Sequence, residues 1–286
     1  MKKSRKKLWI TLTAVVASIA VVCLVFGLLF RLKTVSVEFR SRQDTLAFSQ
    51  LETGILEKVK KDGEFETGKN LLFLNFDENI AKIEKANPFV KVEQIIRRFP
   101  NEVGVYISER IPMFRVKDKN SPDWFILDSE FKVLKKITEA QVSQAGLYGS
   151  LSFEDKTVEI NPDSLKIETY IGEFVTAKND VHFKEIASGI MAAYDNKDVS
   201  RAKSITISEG SKFEVEIVMK TLSTDSGDGC KIVIEGSHDL RTKVYSAVAL
   251  FSETLQADSS QDLSNSTITV SEGANGKYQA TFKTNP

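Results

Sequence analysis

Residues Gly63 to Asn70 (GEFETGKN) come within one side chain of a phosphate-binding loop. Such a loop runs Gly, four residues, Gly-Lys, then a Ser or Thr whose hydroxyl holds magnesium while backbone N–H groups cradle the phosphates. Here the hydroxyl position is Asn70, Glu64 and Glu66 would repel phosphate, and an apolar run from Leu71 to Phe76 stands where a helix should begin. The stretch therefore reads as a loop between two helices, closed by two glycines. Other chemistry-bearing side chains are sparse. His182 and His238 each open an expected helix with no second ligand at metal spacing, so no zinc site is expected. Cys23 falls in an apolar run and only Cys230 follows it, so the rest of the chain has to fold without an internal disulfide. There is no Gly-x-Ser-x-Gly elbow, and the carboxylates are many but scattered. No catalytic, cofactor-binding or metal-ligating residue is assigned, and no cofactor is expected. Glu109-Arg110, just ahead of Pro112, ends an alternating row. The pair reads as two long side chains on opposite faces of a strand end, which is scaffolding rather than an ion site.

The elements that would position any site start with an apolar segment. Leu8 to Phe30 carries no charge, and at about 1.5 Å per residue it spans the roughly 30 Å hydrocarbon core of a bilayer. Lys2, Lys3, Arg5, Lys6 and Lys7 precede it, and only Arg31 and Lys33 follow closely. That asymmetry predicts a cytoplasmic tail at 1–7, a transmembrane helix at 8–30 and everything beyond it outside the cytoplasm. Ser18-Ile19-Ala20 offers a small-x-small cleavage site, but the apolar run continues ten residues past it, so an uncleaved anchor is expected. Seven of the 39 basic residues and none of the 39 acidic ones lie in the first 33 positions, which leaves 32 bases against 39 acids outside. A mildly acidic exterior argues against nucleic acid as a partner.

Thr34 to Phe39 alternates as a strand. Ser49-Gln50-Leu51-Glu52 has the form of a capping box, opening a helix with Phe48, Leu51, Ile55 and Val59 on one face. A second helix from about Asn75 to Asn87 buries Ile80, Ile83 and Ala86. Val90 to Phe99 and Val103 to Ile107 form a hairpin turning at Pro100-Asn101, with Val103, Val105 and Ile107 on the buried face. Beyond it lie a strand pair in Trp124 to Leu134 and a helix bearing Phe183, Ile186, Ile190 and Tyr194. Strands follow at Ile205 to Ile207, Phe213 to Met219 and Lys231 to Glu235, then a helix from Leu240 to Leu255. Two short strands, around Ile268 to Val270 and Lys277 to Phe282, close the chain, so the fold class is α+β.

The order of these elements, with several local motifs, resembles the FtsQ/DivIB family of bacterial cell-division proteins. Gly68-Lys69-Asn70-Leu71-Leu72-Phe73 is similar to the family's Gly-x-Asn-Leu-Phe loop, and Asn87-Pro88-Phe89-Val90 to the Pro-x-Val that leads into its hairpin. Arg98-Phe99-Pro100-Asn101, then Glu109-Arg110-Ile111-Pro112, is similar to its Arg-x-Pro and Glu-Arg-x-Pro signature. Gly236, Leu240 and Lys243 sit where the family has a glycine and then a helix bearing a lysine. Phe114 and Phe131 depart from the pattern, standing where small residues are common. The resemblance covers about residues 1–283.

It implies a POTRA domain at 31–117, of order β-α-α-β-β, and a larger, mainly antiparallel β domain with helices at 118–286. Pro88, Pro100, Glu109, Arg110 and Pro112 are then structural. It also implies a non-catalytic scaffold at the division septum that binds FtsL and DivIC/FtsB-type single-pass proteins and regulates septal peptidoglycan synthesis, with no small-molecule substrate. The expected partner-binding residues are Lys277, Tyr278, Gln279, Ala280, Thr281 and Phe282 of the last strand, with Lys243 of the preceding helix. The alternative is a membrane-tethered envelope sensor, or an enzyme whose site shows no recognisable motif.

Overall fold

The computed structural model describes residues 2–41, 54–119, 121–145, 147, 152–164, 167–171, 174–177, 180–194, 201–209, 211–220, 229–257, 263, 266–272 and 277–284. They form two compact units, one within Met1–Asp44 and Leu51–Glu109, the other within Arg110–Pro286. The first unit opens with helix α1, Lys2–Leu29. Its stretch Leu12–Leu29 is long and apolar enough to cross a membrane, and none of it is buried against protein. An all-round apolar surface of this kind belongs in lipid rather than in water. The hydroxyl of Ser18 is satisfied within the helix, donating to the Ala14 carbonyl at 2.9 Å.

Strand β1 (Thr34–Ser41) is followed by helices α2 (Ile55–Asp62) and α3 (Asp77–Ala86), then strands β2 (Val90–Arg98) and β3 (Glu102–Glu109). This is the β-α-α-β-β order expected. The sheet order is β1-β3-β2, with β1 parallel to β3 and β2 antiparallel to it. Val103, Val105 and Ile107 all lie on the buried face and are fully buried, as the two-residue period of a strand requires. They pack with Val35 of β1, Ile55 and Val59 of α2 and Ile83 of α3.

The helices differ from expectation in detail. The capping box at Ser49 to Glu52, with Phe48 and Leu51, lies outside the described residues; α2 begins at Ile55 after Gly54, whose φ of 83° suits a glycine. In α3 only Ile83 is buried; Ile80 is half-buried, and Ala86, the last residue of the helix, is exposed. On the sheet's other face Arg98 joins all three strands. Its guanidinium donates to Glu38 (2.8 Å), Glu102 (3.1 Å), Ser36 (3.0 Å) and the Tyr106 hydroxyl (2.7 Å).

The second unit contains strands β4 (Phe114–Lys117), β5 (Trp124–Leu127) and β6 (Val133–Ile137), then one-turn helices α4 (Glu139–Val142) and α5 (Phe153–Lys156). Strand β7 (Val158–Ile160) and the hairpin of β8 (Ile167–Ile171) and β9 (Phe174–Ala177) lead to helix α6 (Asp180–Ala193). Strands β10 (Ala202–Glu209), β11 (Phe213–Met219) and β12 (Cys230–Glu235), helix α7 (Leu240–Ala257) and strands β13 (Ser266–Glu272) and β14 (Tyr278–Thr284) complete it. Nine strands form one sheet in the order β14-β13-β12-β11-β10-β7-β4-β5-β6. Five of its pairings are antiparallel and three parallel. The parallel β12–β13 pair needs a crossover, and α7 supplies it, burying Leu240, Val244, Ala247, Val248 and Phe251. Helix α6 crosses α7 at Gly189, where a Cβ would lie 2.7 Å from the Arg241 carbonyl oxygen, so only glycine permits this approach.

The expected boundary at 117 moves back to Glu109/Arg110. The reason is β4, which pairs with β5 and β7 in the large sheet rather than with the three-stranded one.

Candidate functional site

Strand β14 ends the nine-stranded sheet. Its inner edge pairs antiparallel with β13, in the register Ser271↔Gln279, Val270↔Ala280, Thr269↔Thr281 and Ile268↔Phe282. No described strand pairs with its outer edge. The side chains divide by face. Tyr278, Ala280 and Phe282 are half-buried, and Ala280 and Phe282 pack on the large core. Gln279, Thr281 and Lys283 are exposed. Tyr278, Ala280 and Phe282, three of the expected partner-binding residues, are thus turned inward toward α7, which packs on β14. What the strand offers outward is backbone and a polar row.

Lys243 is likewise not an outward contact. It is buried, donates to the carbonyls of Glu235 (2.9 Å) and Gly236 (3.3 Å), and places its ammonium 5.3 Å from the centre of the Tyr278 ring. Gly236, with φ of 77°, makes the turn that presents those carbonyls. Tyr278 also donates its hydroxyl to Asp239 at 3.0 Å. Partial desolvation, reinforced by that bond, holds its phenol above the ordinary value. Lys243, Asp239 and Gly236 therefore fix the first residue of β14 from beneath. Asp239 was not anticipated, and its only sequence signal is its place in the loop opening α7. Lys277 lies one residue ahead of the strand.

The motif residues read as structural have varied surroundings. Pro88 is half-buried after α3, where Asn87 donates to Asp62 (3.0 Å) and to the Ile83 carbonyl (3.0 Å). Pro100 follows a cis peptide bond in the β2–β3 turn, and Pro112 is buried. Glu109 ends β3 opposite Val90. Arg110 is buried in the second unit, donating to Asp128 (2.5 Å) and Glu130 (2.7 Å). Asp128 in turn accepts the backbone N–H groups of Glu130 (2.8 Å) and Lys132 (2.9 Å). The pair that raised the question of ion binding thus ends one unit and pins a turn in the other.

The stretch Gly63 to Asn70 is used up by its own fold. Asn70 accepts the Leu72 N–H at 2.9 Å, Lys69 pairs with Glu66, and Lys82 bridges Glu64 and Glu78 at 2.9 Å each. A cavity of about 350 Å³ beside it is lined by these paired charges and by Phe65, Phe73 and Phe76. Among the described residues no group of three His, Cys, Asp or Glu side chains could hold a metal. Cys230 is buried, and desolvation pushes its thiol up to about 12, far from a reactive thiolate.

No protein-family profile matches the chain. Three curated relatives do, each a cell division protein DivIB. One from Clostridium botulinum strain Hall is 31% identical over 83 residues, which is 29% of this chain and 31% of the relative. One from Clostridium tetani is 30% identical over 81 residues, 28% and 29% of the two chains. Another from Clostridium botulinum strain Loch Maree is 29% identical over 83 residues. The matches span under a third of the length of these relatives. Over that stretch they support placing the chain in the FtsQ/DivIB family.

Proposed function

We propose that this chain is a non-catalytic scaffold of bacterial cell division, anchored by α1 with its N-terminus in the cytoplasm. In this reading the large sheet takes up a strand from FtsL or a DivIC/FtsB-type partner along the outer edge of β14, and the complex regulates septal peptidoglycan synthesis. The observation that carries the assignment is the position of β14: it ends the sheet, with no described strand on its far side. An unpaired edge is a template for another chain, since its backbone groups supply affinity while neighbouring side chains supply choice. Gln279, Thr281 and Lys283 lie on the exposed face of the sheet beside that edge, where a partner strand's side chains would meet them. Similarity to DivIB proteins supplies the cellular setting.

The test must separate the edge from the fold. Removing residues 277–286 also strips Ala280 and Phe282 from the core, so the truncated chain has to be shown folded before its binding is read. Two point variants are cleaner. Along an antiparallel strand, successive N–H groups point alternately to the two sides. Of Gln279→Pro and Ala280→Pro, one proline removes a donor to β13 and the other an outward donor. The outward variant should keep its thermal unfolding midpoint and lose capture of the partner ectodomains. Unchanged capture by both proline variants, each shown to be folded, would remove β14 as the binding edge.

A further inference from the structure

We propose that Leu72, Phe73 and Phe99 form an apolar collar that seats the first unit on the bilayer interface where α1 leaves the membrane. The proposal rests on reading α1 as a membrane span. Phe73 is 84% exposed, Phe99 59% and Leu72 44%. Single exposed apolar side chains are ordinary, but a cluster at one rim marks a surface made for something other than water.

The rim is defined by the end of α1. Gly68 donates to the Leu32 carbonyl (2.9 Å), Leu32 to that of Lys69 (2.9 Å) and Leu71 to that of Phe30 (2.6 Å). Leu72 and Phe73 therefore begin one residue beyond backbone that is paired with the last apolar residue of the span. The Phe99 ring meets the Phe30 ring edge-on at 5.4 Å, and Phe30 stacks on Phe26 at 5.3 Å, so Phe99 continues the apolar surface of α1 directly.

The exposure does not come from a loose loop. Arg97 donates to the carbonyls of Leu71 (2.9 Å) and Leu74 (2.6 Å), clamping both ends of the turn. Asn70 accepts the Leu72 N–H, and the Phe73 N–H reaches the Asn70 carbonyl at 3.1 Å. Leu71 is fully buried by this arrangement, and the next two side chains are held outward. Arg31 and Lys33 are exposed beside them, where lipid phosphates would lie. Aromatic and apolar groups with adjacent cations are the side chains that settle at a membrane interface. A unit on a single helix could otherwise turn about its tether, and the collar would fix its orientation.

The test uses the full chain with Cys23→Ala and Cys230→Ala, reconstituted into phosphatidylcholine/phosphatidylglycerol vesicles. A polarity-sensitive fluorophore is attached through Phe73→Cys, through Phe26→Cys within the span, or through Gln94→Cys on exposed β2. The lipids carry a nitroxide quencher at a shallow or a deep position. The label at 73 should emit to the blue of the label at 94 and be quenched more by shallow than by deep nitroxide, while the label at 26 is quenched by the deep one. Emission at 73 matching that at 94, without quenching, would overturn the collar while quenching at 26 upheld the span. Absence of quenching at 26 would remove the span itself and the collar with it. As a second measurement, Phe73→Asp should reduce shallow quenching of a label placed through Phe99→Cys; unchanged quenching there would show that the two side chains do not act as one surface.

Discussion

Phe131 holds a left-handed backbone conformation, with φ of 65°, in the turn between β5 and β6. For an L-residue with a side chain that conformation costs about 1–2 kcal/mol, and a glycine would avoid the cost. Yet Phe131 is only 1% exposed, and its ring lies 5.1 Å from Phe114 and 6.0 Å from Phe183. The two positions that depart from the family's pattern thus touch each other in the core. Full burial of a phenylalanine contributes about 1.5–3 kcal/mol, and the cavity left by its removal adds to the loss. Around it, Asp128 accepts two backbone N–H groups and is held by Arg110, bonds that do not involve the side chain of residue 131. Phe131→Gly should therefore destabilise the second unit by about 2 kcal/mol, despite relieving the backbone. Chemical denaturation of the purified chain, followed by a probe in that unit, checks this. A stabilised variant would show that backbone strain outweighs packing here.

At the scale of elements, the β2–β3 hairpin carries a sharp contrast between its faces. Ile107 is fully buried beneath α2 and α3, so Ile107→Asp places an unpaired charge in an apolar core and should cost several kcal/mol. Tyr106, one residue away, points to the other face and accepts a hydrogen bond from Arg98. Tyr106→Asp should cost about 1 kcal/mol, the scale of one hydrogen bond, because the new carboxylate meets the same guanidinium. Thermal unfolding of both variants in micelles should rank them in that order, and equal midpoints would mean the face assignment is wrong. This hairpin was legible in the sequence because one face is dry and the other wet, which writes a two-residue period. Strand β4 was not legible: Phe114, Arg115 and Val116 are all buried, since a central strand is covered on both sides and loses its alternation. The one-turn helices α4 and α5 did leave a signal, in the capping boxes Thr138 to Gln141 and Ser152 to Asp155, but they are too short for any periodicity. The candidate edge was legible in part. Alternation divides β14 into two faces without saying which one turns inward, and the burial of Lys243 depends on carbonyls presented by Gly236 in another element.

For the whole molecule, the deciding quantity is the side of the membrane on which the two units fold. Lys2, Lys3, Arg5, Lys6 and Lys7 precede the apolar segment, while Arg31 and Lys33 follow it closely. Cationic side chains near a span are retained on the cytoplasmic side, and the larger cluster sets the orientation. An alkaline phosphatase reporter, active only outside the cytoplasm, should thus be active when fused after position 120. Protease added from outside should remove the exterior part. Replacing the five N-terminal cations with glutamine should erode that preference and lower reporter activity, since the cations nearest the span are then Arg31 and Lys33 on its far side. The N-terminus of the purified protein should be intact, because the apolar stretch Leu12–Leu29 runs well past Ala20. An inactive reporter would place β14 in the cytoplasm, where the exterior parts of single-pass division proteins cannot reach it. The edge could still pair with a strand, but the partners proposed for it would be the wrong ones.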